Sequence, residues 1–236
     1  MIPEGKVLTV CHDAGGANII SSFLRLNKIE YSISADGPAK DIFRGKIGSY
    51  ENVNFEDAIN NVEWVLTGTS INSDLECNAI KYAKKVGKKC ITFLDHWANY
   101  KERFQWHGLE SYPDEIWVGD IDAYKKANAI FNKTVVKLHK NPYWEEIRRD
   151  FSKHRNEYDA STYKIVIAST NIDSLKTRNN NIMISDYEIL SKVLNKIYNL
   201  KKVKFIKEII LSLHPGEKKD KYKDFNFKCY PFKIKI

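Results

Sequence analysis

The chain has 236 residues, 43% hydrophobic and 29% charged, so it carries enough apolar material for one large or two small cores and is not a disordered chain. No run of 18 apolar residues occurs, and the first twenty residues read as a strand and a glycine turn, so neither a membrane span nor a signal peptide is expected. The net charge of +8 is uneven: residues 201–236 hold eleven lysines against four acids. A basic face of that kind suits nucleotides, nucleic acid or an anionic membrane surface, and suits equally an exposed segment kept soluble by lysine.

Lys6 to Cys11 reads as the first strand and Ala17 to Leu26 as a helix, with Ile19, Ile20, Phe23 and Leu24 on its buried side. Between them lie His12, Asp13, Ala14, Gly15 and Gly16. Strand, glycine turn and helix together point free N–H groups and the helix dipole at an anion, although a tight turn without a ligand has the same sequence. The dinucleotide fingerprint, which needs three spaced glycines and a distant acid, is not present.

Ile29 to Ser34 reads as a second strand, Pro38 to Lys46 as a short helix, and Val62 to Thr67 as a third strand ending at Gly68, Thr69 and Ser70. Ser73 and Glu76 have the spacing of a capping box at the start of the next helix, and Gly87 stops it. Cys90 to Leu94 is then a strand-length apolar run without alternation, the pattern of an interior parallel strand covered on both faces. It stops at Asp95, His96 and Trp97. Ligands of open parallel sheets sit beyond the carboxyl ends of the strands, where His12–Asp13, Thr67–Thr69, Asp95–His96 and His214–Pro215 would all lie.

Trp97, Tyr100 and Phe104 have helical spacing, which fits a core stripe and also aromatic planes for sugars or bases. Ile116 to Gly119 is a strand, Ile121 to Phe131 a helix, and Thr134 to Leu138 a short strand. The expected organisation is a first Rossmann-like domain over residues 1–140, a linker helix and loop over 141–162, and a partial second one over 163–236. In the latter, Tyr163 begins a strand ending at Ser169, Thr170 and Asn171, followed by a polar stretch through residue 183. Ser185 and Glu188 form another capping box, and Lys207 to Leu213 a strand that runs into His214, Pro215 and Gly216. Phe225 to Ile236 alternates like an edge strand. Lys219, Lys221, Lys223 and Lys228 interleave with Tyr222, Phe225 and Phe227, as a nucleic-acid surface would, but no nucleic-acid motif accompanies them. Cys11, Cys77, Cys90 and Cys229 lack metal-ligand spacing and read as reduced thiols of a cytoplasmic protein.

With these segments in place the chain resembles a GT-B-like glycosyltransferase, the class built from two Rossmann-type α/β domains. Leu211 to Tyr222, L-S-L-H-P-G-E-K-K-D-K-Y, is similar to the His-Pro motif of bacterial sialyltransferases and related capsule and lipooligosaccharide enzymes. The segments H-D-A-G-G-A and F-L-D-H-W resemble proteins encoded among surface-polysaccharide genes. The resemblance implies that His214, Pro215 and Gly216, with Ser169 and Thr170, contact the nucleotide of a sugar donor. It implies that Asp13, beside His12, takes the proton of the acceptor hydroxyl, with Asp95 and His96 orienting the acceptor or replacing Asp13. Gly15, Gly16, Thr69, Trp97 and Arg103 would complete the anion and acceptor contacts. The implied partners are a nucleotide sugar and a glycan or lipid-linked acceptor, with no cofactor or metal, a peripheral location at the inner membrane face through the C-terminal lysines, and a homo-oligomer as a further candidate. An epimerase or hydrolase of the same architecture would use the same residues. The second domain, 74 residues from Tyr163, is shorter than the class needs, so a non-catalytic binding module is the other reading.

Overall fold

The computed structural model describes residues 2–153, 163–169, 172, 184–201, 203–213 and 217–236. It comprises two compact units, Met1–Arg155 and Asn156–Ile236.

The first unit runs β1 (Val7–Cys11), α1 (Ala14–Asn27), β2 (Tyr31–Ala35), α2 (Ala39–Ile47), α3 (Phe55–Ala58), β3 (Trp64–Thr67), α4 (Leu75–Lys85) and β4 (Lys89–Leu94). A small hairpin follows, β5 (Gln105–Trp106) and β6 (Leu109–Glu110), then β7 (Glu115–Val118), α5 (Ile121–Ile130), β8 (Val135–Leu138) and α6 (Pro142–Lys153). Six of these strands make one sheet in the order β2-β1-β3-β4-β7-β8. Every neighbouring pair is parallel. The chain leaves β1 toward β2 on one side and returns to β3 on the other, so the order switches direction between β1 and β3. That switch opens a crevice at the carboxyl ends of those two strands.

Both faces of the sheet are covered, which is why its strands read as unbroken apolar runs. In β4, Cys90 and Leu94 face one core with Ile80, Ala83 and Phe104, while Ile91 and Phe93 face the other with Phe23, Trp64 and Trp117. Phe23 meets Trp117 edge-on with ring centres 5.7 Å apart, and Trp64 at 6.4 Å. Each such side chain contributes about 1.5–3 kcal/mol by leaving water, and edge-to-face contacts about 0.5–1.5 kcal/mol more.

Two sequence expectations change here. Trp97, Tyr100 and Phe104 lie on a loop with a single 3-10 turn at Glu102–Phe104, not on a helix. Tyr100 and Phe104 are core residues and Trp97 is not. The helix read as a linker, α6, docks on α1: Glu146 accepts from Ser22 Oγ at 2.6 Å and Lys46 Nζ at 2.9 Å and pairs with Arg25, and the Lys46 ammonium lies 4.3 Å above the Tyr143 ring. These ties place it within the first unit, whose boundary falls at Arg155.

In the second unit the described residues form β9 (Tyr163–Ala168), α7 (Asp186–Tyr198), β10 (Ile206–Ser212) and β11 (Lys233–Lys235), the strands making a parallel three-stranded sheet in the order β11-β10-β9. Leu190, Leu194 and Ile197 of α7 pack on Ile209 and Leu211 of β10, with Tyr222 and Phe232 closing the core. The capping box of Ser185 and Glu188 is formed. The C-terminal strand is only three residues long, because the chain turns at Phe227–Cys229 before it reaches the sheet edge. The polar stretch before residue 184 lies outside the described residues, apart from Ile172.

Candidate functional site

At the crevice, β1 delivers His12 and Asp13 and β3 delivers Gly68, Thr69 and Ser70. Asp13 Oδ1 lies 2.7 Å from His12 Nδ1 and accepts from Ser70 Oγ at 2.9 Å. The His12 N–H donates to Glu76 Oε1 at 2.7 Å. Glu76 therefore does not close a capping box. Ser73 caps locally, accepting from Leu75 N at 3.2 Å, while the Glu76 carboxylate crosses to the backbone at the exit of β1. That backbone donor is turned inward and needs an acceptor, and Glu76 is the one in reach. Its Oε2 is buried with no hydrogen-bond partner among the described residues. Burial, with the Asp13 charge adding to it against the His12 N–H bond, pushes the Glu76 carboxyl up to about 7. The Cys11 thiol below is raised well above its ordinary value by burial and then by the Glu76, Asp95 and Asp13 charges.

The crevice is narrow because two glycines meet in it. A Cβ on Gly16 would stand 3.1 Å from Gly68 Cα and 3.0 Å from Cys11 Sγ, so only glycine lets α1 approach the β3 loop this closely. Gly15 and Gly16 belong to the first turn of α1 rather than to a free loop. The Asp95 carboxylate stands where a Cβ on Gly15 would lie.

Asp95, at the end of β4, accepts from Thr69 Oγ1 at 2.9 Å and faces Arg103 Nη1 at 3.8 Å. Arg103 Nη1 also donates to Thr69 Oγ1 at 3.1 Å and its Nε to the Ala98 carbonyl at 3.3 Å. Arg103, expected at the acceptor, is instead a buried clamp that ties the β3 and β4 loops together. Burial raises Asp95 above the usual carboxylate range in spite of Arg103 and Thr69.

Beside the crevice, a cavity of about 950 Å³ opens at the ends of β4 and β7, walled by α1, α5 and α6. Asp95, His96, Trp97, Asp120, Asn141 and Trp144 are among its lining residues. The Trp97 indole N–H donates to Asp120 Oδ2 at 2.8 Å, and Asp120 Oδ1 caps α5 through Asp122 N and Ala123 N.

The structure thus gathers His12, Asp13, Gly16, Thr69 and, through Thr69, Asp95 at one strand edge, with His96 and Trp97 at the neighbouring cavity. In the second unit, Ser169 N donates to the Ser212 carbonyl at 2.9 Å and its hydroxyl reaches Glu217. Thr170, His214, Pro215 and Gly216 lie outside the described residues. The sequence reading missed Glu76, Asp120, Asn141 and Trp144. Asp120 stands at a strand exit like the others and could have been found from Gly119–Asp120, whereas Trp144 reaches the cavity only through the docking of α6. Among the described residues no three His, Cys, Asp or Glu side chains are grouped to hold a metal ion.

The C-terminal lysine and aromatic pattern is also reassigned. Lys221 Nζ pairs with Asp186 and, at 2.7 Å, with Glu217, and Lys223 pairs with Asp220. Tyr222 is buried, and Phe225 and Phe227 pack on each other with ring centres 4.7 Å apart. These rings are packing groups, not stacking platforms for bases. No described helix is long and apolar enough to cross a membrane.

No family model and no curated protein matches the chain. Among solved structures it is similar to the S. aureus MnaA–UDP co-structure, with a TM-score of 0.63 and 8% sequence identity, covering 98% of this chain and 69% of that one. The likeness shows the fold. The chain is an α/β protein of Rossmann-like, GT-B-type architecture, with parallel sheets flanked by helices.

Proposed function

We propose that the chain is an enzyme acting on a nucleotide sugar, with the acid–base chemistry at the β1–β3 crevice and the sugar transferred to a glycan or lipid-linked acceptor. The observation that carries the reading is the gathering of Asp13, Glu76 and Asp95 at the switch point of the sheet, two of them with raised pKa values. Support for the nucleotide comes from the fold shared with MnaA, which was crystallised with UDP. His214, Pro215 and Gly216, with Ser169 and Thr170, are the proposed nucleotide contacts.

In this reading Asp13 is the general base. It takes the acceptor's hydroxyl proton while that oxygen attacks the anomeric carbon and the bond to the nucleotide phosphate breaks, the electron pair leaving with the phosphate. His12 and Ser70, both bonded to Asp13 Oδ1, fix its orientation. Asp13→Asn is expected to keep UDP binding and lower the turnover by about two to four orders of magnitude, as for loss of a general base. Unchanged turnover in that variant would remove Asp13 from the mechanism.

A second reading is favoured by Glu76. A carboxyl with a pKa of about 7, close to an Asp13–His12 pair, supplies an acid and a base together, as an epimerase or hydrolase of nucleotide sugars needs. Incubation with UDP-sugars, with and without acceptor, separates the two. Donor consumption that needs an acceptor supports transfer, and consumption without one, with solvent deuterium entering the sugar ring, supports epimerisation.

A further inference from the structure

The crevice chemistry leaves the neighbouring cavity unused, and its walls are unusual in one respect. Trp97 is 59% exposed and Trp144 is 51% exposed, and both line it, whereas Trp64 and Trp117 are buried in the core. Single exposed hydrophobic side chains are ordinary, but two indoles converging on one cavity are not scatter. Trp97 is also held in place: its N–H is bonded to Asp120, and its carbonyl accepts from Lys126 Nζ at 2.6 Å. Since Asp120 in turn caps α5, the ring is fixed to a helix terminus and is preorganised as a flat wall.

The polar groups around it are donors of the kind hydroxyl oxygens accept from. His96 Nδ1 accepts from Ala98 N at 3.1 Å, which leaves Nε2–H of the neutral ring as a donor. Asn141 Oδ1 accepts from Tyr143 N at 3.0 Å, which leaves its NH₂ to donate. Lys140 and Arg148 also line the cavity, but Asp95, Asp120, Asp122 and Glu145 outnumber them. An anion such as a phosphate would meet more carboxylates than cations, and a purely apolar ligand would bury the His96 and Asn141 donors without acceptors.

We infer that this cavity is a saccharide subsite for an uncharged sugar, one face of which lies against Trp97 and Trp144 while His96 and Asn141 donate to its hydroxyl oxygens. It rests on the proposed transfer reading for its role as the acceptor subsite, adjoining the crevice that holds Asp13.

The test is a titration of the full chain, ¹⁵N-labelled, with the methyl β-glycosides of glucose, galactose and N-acetylglucosamine, and separately with UDP. At least one glycoside should move the indole N–H signals of Trp97 and Trp144 and leave those of Trp64 and Trp117 in place. Trp144→Ala, at an exposed helix position, should weaken that binding about tenfold, the loss of one stacking ring, with UDP affinity unchanged. Trp97→Phe, which keeps a ring and loses the tie to Asp120, should weaken it less. The inference is overturned if no glycoside moves the two indoles, if Trp144→Ala binds glycoside as the unaltered chain does, or if UDP rather than glycoside moves them. UDP binding without glycoside binding would leave the nucleotide reading standing and remove the subsite. Glycoside binding without UDP binding would do the reverse.

Discussion

Buried carboxylates occur at both ends of the six-stranded sheet, and the two ends treat them oppositely. At the amino end, Glu115 meets Lys89 Nζ at 2.7 Å, Lys137 Nζ at 2.8 Å and the Trp117 indole N–H at 3.1 Å. Burial alone would raise its pKa, but the bonds from Lys137, Lys89 and Trp117 outweigh burial and hold it down to about 2. At the carboxyl end, Asp13, Glu76 and Asp95 gather around the β1–β3 crevice and its Asp95–Arg103 flank, and Glu76 and Asp95 are raised instead. Stability alone would pair every buried acid as Glu115 is paired. The end that leaves acids together, with one Glu76 oxygen lacking a partner among the described residues, is the end where parallel sheets bind ligands.

That contrast fixes opposite pH dependences. Glu76 has a folded pKa above its ordinary 4.5, so the folded state holds its proton more tightly. Its contribution is fully present below pH 4.5 and is lost as pH rises through about 7, a loss of about 3 kcal/mol. Glu76→Gln keeps an acceptor for the His12 N–H and cannot ionise. It should match the unaltered chain near pH 5 and exceed its unfolding free energy by about 3 kcal/mol at pH 8, read from urea denaturation at both values. Equal curves at pH 8 would mean that Glu76 ionises in the folded chain without cost.

Glu115 runs the other way. Its folded pKa is depressed, so its contribution is present above pH 4.5 and is lost as pH falls through about 2. Lys89 and Lys137 are partly exposed, which screens the pair. Glu115→Gln should therefore cost about 2 kcal/mol at pH 7 and nothing near pH 2, the mirror image of Glu76→Gln. A cost that persists at pH 2 would assign Glu115 a packing role rather than an electrostatic one.

Much of the first unit was legible because its strands are buried on both faces and its helices carry one apolar stripe. Periodicity located β1 to β4 and α1, α4 and α5 to within a few residues. The errors come from interactions between residues distant in sequence. Ser73 and Glu76 have the spacing of a capping box, and Ser185 and Glu188 form one, yet Glu76 turns to His12, 64 residues away, because the sheet puts an unpaired N–H there. Trp97, Tyr100 and Phe104 share helical spacing, but the loop after β4 sends two inward and leaves the first at the cavity. Arg103 was read as an anion or acceptor contact and not as a clamp, since only the meeting of the β3 and β4 loops shows what it bonds. The acids at strand exits were legible one by one, and their convergence depended on the strand order.

The smallest test compares two helical glycines. Replacing an exposed helix-interior glycine by alanine ordinarily gains about 0.5–1 kcal/mol. Gly45 in α2 has nothing within 4 Å of where a Cβ would stand, so Gly45→Ala should show that gain. Gly15, in the first turn of α1, has the Asp95 carboxylate in that space, well inside contact distance. Asp95 is held by Thr69 and Arg103, so moving its carboxylate aside strains the 2.9 Å bond from Thr69. Gly15→Ala should therefore lose about 1–2 kcal/mol, an overpacking cost that exceeds the helix gain. Thermal unfolding of the two variants side by side reads the difference directly. If Gly15→Ala gained stability as Gly45→Ala does, the Asp95 carboxylate would be free to leave the space over Gly15.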